Sequence, residues 1–195
     1  SFCDTLSTPP ETPTLEARSI LVMVHGWCYA VPVYYPPTSA NAQPTLMSPK
    51  QIEARLRSLV LDVEERLARG EKPVPIGVLS ADDRDKWAAN LDHLLALHPS
   101  NKKSHQAMLH TIMGLSLDHV TYSIPPPVPS DALPPHKVHH RSAAQRSLDS
   151  HLHTIRGTPL NIANRFFDKA YTLMVDPSTR AGASGEHSPC DALVP

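Results

Sequence analysis

Proline is the residue type that most constrains how this chain folds. There are 21 prolines among 195 residues, about twice the usual share. Sixteen of them lie in four clusters, at 9–13, 32–49, 73–75 and 125–135. Because proline lacks a backbone N–H and fixes φ, these clusters exclude helix interiors and central strands. We therefore expect a mobile lead over 1–18, a proline- and histidine-rich loop over 124–140, and regular structure in between.

The first apolar segment has the pattern of a β-hairpin. A β-branched run at 19–25 is followed by Gly26 and by a second run of strand-forming residues at 28–35. Two such runs around a short turn predict two antiparallel strands. Pro32 cannot donate to a ladder, so it predicts an edge or a bulge for the second strand.

Helix signals are clearest in the stretch that begins at Ser48. Ser48 is a suitable N-cap, Pro49 suits the first helical position, and Gln51 completes a capping box. Apolar residues then recur at helical spacing until Gly70, which predicts a helix over 49–69. The other predicted elements are a buried strand at 76–79, a helix from Asp82 or Asp83 to 97, a helix over 102–110, a strand or helix end at 111–117, a helix near 141–153, a strand at 170–175, and a turn with Pro177 and Gly182. Alternating strands and helices predict a layered α/β domain.

Composition excludes several classes of function. The 18 basic and 19 acidic residues give no electrostatic case for binding nucleic acid or an anionic membrane. No apolar run reaches the roughly 18 to 20 residues of a membrane helix. Cys3, Cys28 and Cys190 form no CxxC pair and no disulfide framework, which fits a reducing compartment.

The stretch 164–195 carries the strongest functional pattern, and it reads NRFFDKAYTLMVDPSTRAGASGEHSPCDALVP. A block at 164–169 is followed by a β-prone run, a glycine-bearing turn and then His187, with Asp191 four residues later. A neutral imidazole can remove the proton of an attacking hydroxyl and later return it. Taken alone, this spacing favours a solvated loop histidine, since the chain contains 12 histidines.

The order of these features resembles the carnitine/choline O-acyltransferase family. In that family the block usually reads N-R-W-[FY]-D-K, whereas Phe166 stands here in place of the tryptophan. A strand and the motif E-H-x-x-x-[DE]-[GA] follow the block. Upstream, the segment at 75–80 with Arg84 and Trp87 resembles the family's P-[IV]-G-[IL]-L-[TS] segment followed by R-x-x-W. The resemblance covers 19–195.

This resemblance implies a chloramphenicol-acetyltransferase-like fold, a layered mixed sheet with flanking helices. It implies that 19–195 is a partial catalytic domain, the part of the N-terminal half of a two-domain enzyme that bears the catalytic histidine. The parent enzyme would transfer an acyl group reversibly between coenzyme A and the hydroxyl of carnitine, with His187 as general base. The residues expected to orient the base or support the site are Asp191, Glu186, Arg165, Asp168 and Lys169.

The resemblance also sets expectations about ligands and location. Acyl-coenzyme A would be a co-substrate, with no tightly bound cofactor and no metal. In the family, the lysines that bind coenzyme A lie downstream of the histidine, so we expect the isolated chain to be inactive without a second half. A mitochondrial or peroxisomal location in fatty acid metabolism would follow, with the cytoplasm as the alternative.

Two alternatives stay open for the function. The sequence His187-Ser188-Pro189 resembles choline acetyltransferase, whereas Lys169 and Ala192 resemble the carnitine enzymes, so choline is the competing acceptor. A truncated or degenerate family member that acts only as a binding module is the non-enzymatic alternative. An α/β hydrolase is rejected because no G-x-S-x-G nucleophile elbow follows the strand at 22–24.

A histidine-rich tract is a second candidate site, since such tracts bind zinc in some proteins. The tract contains His136, His139, His140, His151 and His153. It lacks the HExxH arrangement that pairs ligands on a helix, so a solvated polar segment is the favoured interpretation.

Overall fold

The computed structural model describes residues 15–39, 42–123 and 142–185, and they form a five-stranded mixed sheet flanked by helices. The strands are β1 Ser19–Val24, β2 Trp27–Pro32, β3 Gly114–Leu117, β4 Tyr171–Val175 and β5 Ala181–Gly185. The helices are α1 Pro49–Ala68, α2 Arg84–Leu97, α3 Pro99–His110 and α4 Ala143–Arg156, and short 3-10 helices occur at Glu16–Arg18, Ile76–Ala81 and Ile162–Asn164. The predicted mixed α/β class is confirmed. Most of the predicted lead and all of the loop over 124–140 lie outside the described residues.

The sheet has a parallel centre and antiparallel edges. The strand order is β2-β1-β3-β4-β5, with β1, β3 and β4 parallel and with β2 and β5 antiparallel to their neighbours. Val22 lies beside Leu115, which in turn lies beside Leu173. Parallel strands are covered on both faces, so an uninterrupted apolar run such as that of β1 suits the centre of the sheet.

The predicted hairpin is confirmed, and its turn is short. His25 and Gly26 connect β1 to β2, and both have positive φ, 49° and 83°. Two-residue hairpins favour turns with positive φ at both central positions, because that twist matches the flanking strands. Pro32 is the last residue of β2, an edge strand, as its missing N–H predicts.

The helix predicted from Ser48 is also confirmed. The Ser48 side chain accepts from the backbone N–H of Gln51, and the Gln51 side chain accepts from the backbone N–H of Ser48. This capping box satisfies two of the backbone donors that a helix start leaves free. α1 covers one face of the sheet, where Val63 packs with Val22, Val24 and Val31.

The opposite face of the sheet is covered by α2 and α3. Leu21 and Met23 of β1 pack there with Trp87, Met108 and Phe166. α3 begins at Pro99 rather than at 102, because the side chain of His98 accepts from the backbone N–H of Ser100 and caps the helix. The ambiguous segment at 111–117 resolves into β3.

Two predictions are wrong. The segment at 76–79 is a 3-10 helix instead of a strand, and a Cβ on Gly77 would lie 2.4 Å from the carbonyl oxygen of Arg165, so this backbone packs against another segment at a distance that only glycine allows. Gly182 lies within β5 rather than in the turn. A Cβ there would lie 2.4 Å from Ile155, so α4 packs directly on the strand.

None of the described helices combines the length and the apolar character that crossing a membrane requires.

Candidate functional site

The block at 164–169 begins at the last residue of the 3-10 helix Ile162–Asn164 and leads into β4. Its first residue, Asn164, forms hydrogen bonds at the ends of two neighbouring strands. Asn164 Oδ1 accepts from the backbone N–H of Gly26 at 2.6 Å. Asn164 Nδ2 donates to the carbonyl oxygen of Leu117 at 3.1 Å. The β1–β2 turn is thereby fixed to the carboxyl end of β3.

The second residue of the block forms a buried ion pair with Asp118, which follows β3. Arg165 Nη1 and Nη2 donate to the two carboxylate oxygens of Asp118, each at 2.8 Å. The two side chains are 1% and 0% exposed. This bidentate arrangement is the strongest common form of a charge-assisted hydrogen bond.

Further hydrogen bonds complete the surroundings of this pair. Asn161 Nδ2 donates to Asp118 at 2.7 Å and Ser116 Oγ donates to Asp118 at 2.9 Å. Arg165 also donates to the backbone carbonyl groups of Thr154 and Ile155. Burial raises the pKa of Asp118, but the hydrogen bonds and the charge of Arg165 outweigh this and lower the pKa below its usual value. Asp118 is therefore ionised at neutral pH.

The aromatic residues of the block join it to the 3-10 helix Ile76–Ala81. Phe166 is 3% exposed and belongs to the core cluster under α2 and α3. The backbone N–H of Phe167 donates to Ser80 Oγ at 2.8 Å, and the Ser80 hydroxyl donates to the carbonyl oxygen of Gly77 at 2.6 Å. A segment almost ninety residues earlier in the chain is thus held against the block.

Asp168 brings the two sequence motifs into contact. Arg84 Nη2 donates to Asp168 Oδ1 at 2.6 Å, and Trp87 Nε1 donates to Asp168 Oδ2 at 2.5 Å. The carboxylate is 3% exposed, while the Arg84 side chain is 57% exposed. The upstream R-x-x-W pair therefore binds the aspartate of the downstream block.

Lys169 binds the carboxyl end of α3. Its Nζ donates to the carbonyl oxygens of Met108 at 3.1 Å and Leu109 at 2.7 Å, and also to that of Thr111. The last carbonyl groups of a helix have no partner within the helix, and a cation suits them. Burial lowers the pKa of Lys169 to about 8.

The charged groups of the block are thus bound by protein atoms, so Arg165, Asp168 and Lys169 form a frame. A cavity of about 140 Å³ lies beside this frame and is also lined by Ser184 and Gly185 of β5. Gly185 pairs with Tyr171 at the start of β4. Glu186, His187 and Asp191, the other residues expected from the sequence, lie outside the described residues. Along the chain, Glu186 directly follows the end of β5.

The carboxyl ends of β1 and β3 hold a histidine pair that sequence reasoning missed. The rings of His25 and His119 are stacked, with centroids 4.1 Å apart and planes 24° apart. Burial and the neighbouring His119 lower the pKa of His25, and Glu64 partly offsets them. Asp118 was missed as well, because nothing in the sequence marks it as the partner of a residue 47 positions away.

Two members of the histidine-rich tract are described, and both lie on α4. His151 Nε2 lies 3.1 Å from the carbonyl oxygen of Ala181, and the ring of His153 lies 5.9 Å from that of Tyr122. Within the described ranges, no group of three or more potential metal ligands occurs. His136, His139 and His140 lie outside those ranges.

Comparison with known proteins gives the family. No curated protein matches this sequence. A family model described as Choline/Carnitine o-acyltransferase matches residues 1–195, which is the whole sequence and includes both motifs that meet at Asp168. The chain therefore belongs to the choline/carnitine O-acyltransferase family.

Proposed function

We propose that the protein transfers an acyl group between coenzyme A and the hydroxyl of carnitine, with His187 as the general base. Family membership supports O-acyl transfer of the choline/carnitine type. The observation that supports the assignment of the base is the anchoring of the block at 164–169, from which β4 and β5 lead to Glu186 and His187.

In the proposed reaction, His187 in its neutral form accepts the proton of the carnitine hydroxyl while the oxygen attacks the thioester carbonyl. The C–S bond then breaks, and the imidazolium returns the proton to the departing thiolate of coenzyme A. The histidine ends as it began, so the reaction runs in both directions. A base of this kind contributes about 10² to 10⁴ in rate. Asp191 would orient the imidazole or its loop by a charge-assisted hydrogen bond.

A fixed frame suits this chemistry because the base must lie within hydrogen-bond distance of the hydroxyl when the reaction begins. Each charged residue of the block is held by a different part of the fold: Arg165 by Asp118, Asp168 by Arg84, and Lys169 by the end of α3. Side chains with this many partners keep one position, and so does the backbone that connects them.

The test is a thiol-release assay with acetyl- and palmitoyl-coenzyme A, each with carnitine, with choline or with neither. It is run on this chain and on the longest polypeptide that its transcript encodes, which also tests the expectation that a second half is required. We expect carnitine-dependent release from the longer polypeptide only, and we expect His187→Ala to reduce it by at least about two orders of magnitude. His93→Ala, which removes an exposed histidine of α2, is the matched control and should leave the rate unchanged.

Choline is the competing acceptor because of the sequence His187-Ser188-Pro189. Faster thiol release with choline than with carnitine would show that choline is the preferred acceptor and would leave the assignment of His187 as the base unchanged. A His187→Ala variant as active as the His93→Ala control would refute the assignment of His187 as the general base. If neither polypeptide releases thiol with either acceptor, the result would support the non-catalytic binding module instead.

A further inference from the structure

A groove of about 590 Å³ lies between α2 and α3, on the face of these helices that reaches Asp168. Binding sites for small molecules are usually about 300 to 1,000 Å³ in volume and are mostly apolar, with a few polar groups that fix orientation. The apolar lining includes Trp87, Leu91, Leu95 and Leu109. In size and lining, the groove is therefore suited to an aliphatic ligand.

A histidine that lines this groove has a buried ring nitrogen without a partner. His105 lies on α3 and lines the groove, and its Nε2 is buried without a hydrogen-bond partner in the part of the chain that the structure describes. Its ring meets Phe166 edge to face, with centroids 6.3 Å apart. Leaving a buried polar atom unpaired costs free energy, and native proteins rarely do so without a reason. Because His105 lines the groove, a rotation of its ring toward the groove would let a ligand atom supply the missing partner.

The charges around the groove indicate what that ligand atom is. Arg84 and Asp168 bind each other at the inner end, which leaves Lys102 and Asp92 as the other charged side chains of the lining. Lys102 precedes His105 by three residues on α3, so the two side chains are neighbours on one helix face. Asp92 lies on α2, the opposite wall. A cation and an unpaired imidazole nitrogen side by side suit a carboxylate.

We propose that this groove binds an amphiphile made of an aliphatic chain and a carboxylate head group. The chain lies along the apolar residues of α2, and the carboxylate lies beside Lys102 Nζ, where it accepts from His105 Nε2 once that ring turns toward the groove. The proposal goes beyond the proposed acyl transfer, since it requires neither His187 nor coenzyme A. The groove nevertheless reaches the block, because Asp168 lines it and the ring of His105 contacts Phe166.

The first experiment measures the binding of decanoate by calorimetry and by tryptophan fluorescence in a Trp27→Phe background, where Trp87 is the remaining tryptophan. We expect saturable binding that quenches or shifts the Trp87 emission below the concentration at which decanoate forms micelles. Affinity should rise roughly fourfold for each added methylene from octanoate to decanoate, as the transfer of CH₂ groups from water requires. No saturable binding, or no dependence on chain length, would overturn the proposal.

Two charge variants test the head group. Lys102→Met should weaken decanoate binding about tenfold, while Lys103→Met, an exposed neighbour outside the groove lining, should leave it unchanged. Asp92→Asn should strengthen the binding of decanoate and weaken that of decylammonium. Equal effects of Lys102→Met and Lys103→Met would refute the placement of the carboxylate, and so would tighter binding of decylammonium than of decanoate.

A spectroscopic measurement tests the contact with His105 directly. A bound carboxylate stabilises the imidazolium, so decanoate should raise the pKa of His105 in an NMR titration. A pKa of His105 that does not move at saturating decanoate would show that the carboxylate lies elsewhere and would overturn this part of the assignment.

Discussion

Replacing Arg165 with methionine should be among the most destabilising single changes in this protein. The substitution keeps an unbranched side chain but removes the guanidinium, which is 1% exposed and binds both oxygens of Asp118. Asp118 would keep its hydrogen bonds from Ser116 and Asn161, yet its charge would be buried without a counter-ion. Removing one partner of a buried ion pair typically costs about 3 to 5 kcal/mol.

The pH dependence of this loss identifies its cause. In the native protein the pKa of Asp118 is lowered, so the stability that its ionised form contributes is present above the unfolded pKa of about 3.9 and is lost as the pH falls through the lower folded value. In Arg165→Met, burial without a counter-ion raises the pKa of Asp118 above the unfolded value, so this variant gains stability as the pH falls toward 4. The free energies of unfolding of the native protein and of Arg165→Met should therefore differ less at pH 4.5 than at pH 7.

Urea unfolding at these two pH values, followed by circular dichroism, measures the effect. Arg57→Met is the matched control, since Arg57 pairs with Glu53 on the surface of α1 with side chains 76% and 58% exposed, and such pairs contribute at most about 1 kcal/mol. The double variant Arg165→Met with Asp118→Leu should recover part of the loss, because it removes the unpaired charge as well. A loss in Arg165→Met no larger than in Arg57→Met, or one that is the same at both pH values, would refute the argument.

Three further predictions concern other parts of the fold. Gly182→Ala should lower the free energy of unfolding by about 1 to 3 kcal/mol in urea titrations, because a Cβ there would lie 2.4 Å from Ile155. Ser48→Ala should lower it by about 1 kcal/mol through loss of the N-cap of α1. Since burial and His119 lower the pKa of His25, protonation favours the unfolded chain, and the contribution of His25 to stability should rise with pH between that lowered pKa and about 6.5. His119→Ala should raise the pKa of His25, as NMR titration would show, and an unchanged pKa would contradict the role of the stack.

Local signals were sufficient to predict much of the fold. The helix α1 follows from Ser48, Pro49 and Gln51, and the β1–β2 hairpin follows from two β-branched runs around Gly26, because in both cases neighbouring residues determine the backbone. The errors at 76–79 and at Gly182 have the opposite origin. Each depends on a close approach to a distant segment, namely Arg165 for the first and Ile155 for the second, and no local pattern reveals such an approach.

In the candidate site, too, local patterns could be predicted from the sequence, whereas contacts between distant segments could not. The block at 164–169 and the upstream Arg84 and Trp87 were found as sequence patterns, but the patterns did not reveal that both bind through Asp168. The ionic partner Asp118 and the unpaired nitrogen of His105 became visible only in three dimensions. Partners separated by tens of residues leave no periodic signal in a single sequence, since periodicity reports only which face of an element is buried.

The three charges within the block explain why it forms a reliable frame. Burying a charge is costly unless it is paired and hydrogen-bonded, and here each charge finds its partner in a different segment: β3 and the residue after it, the start of α2, and the end of α3. The block can therefore reach this low-energy arrangement only when all three segments are in place around it. The path of the chain into β4 and β5 is then determined by the whole core and not by one flexible loop. Both strands therefore start from a fixed segment, which is the kind of support that a positioned catalytic group requires.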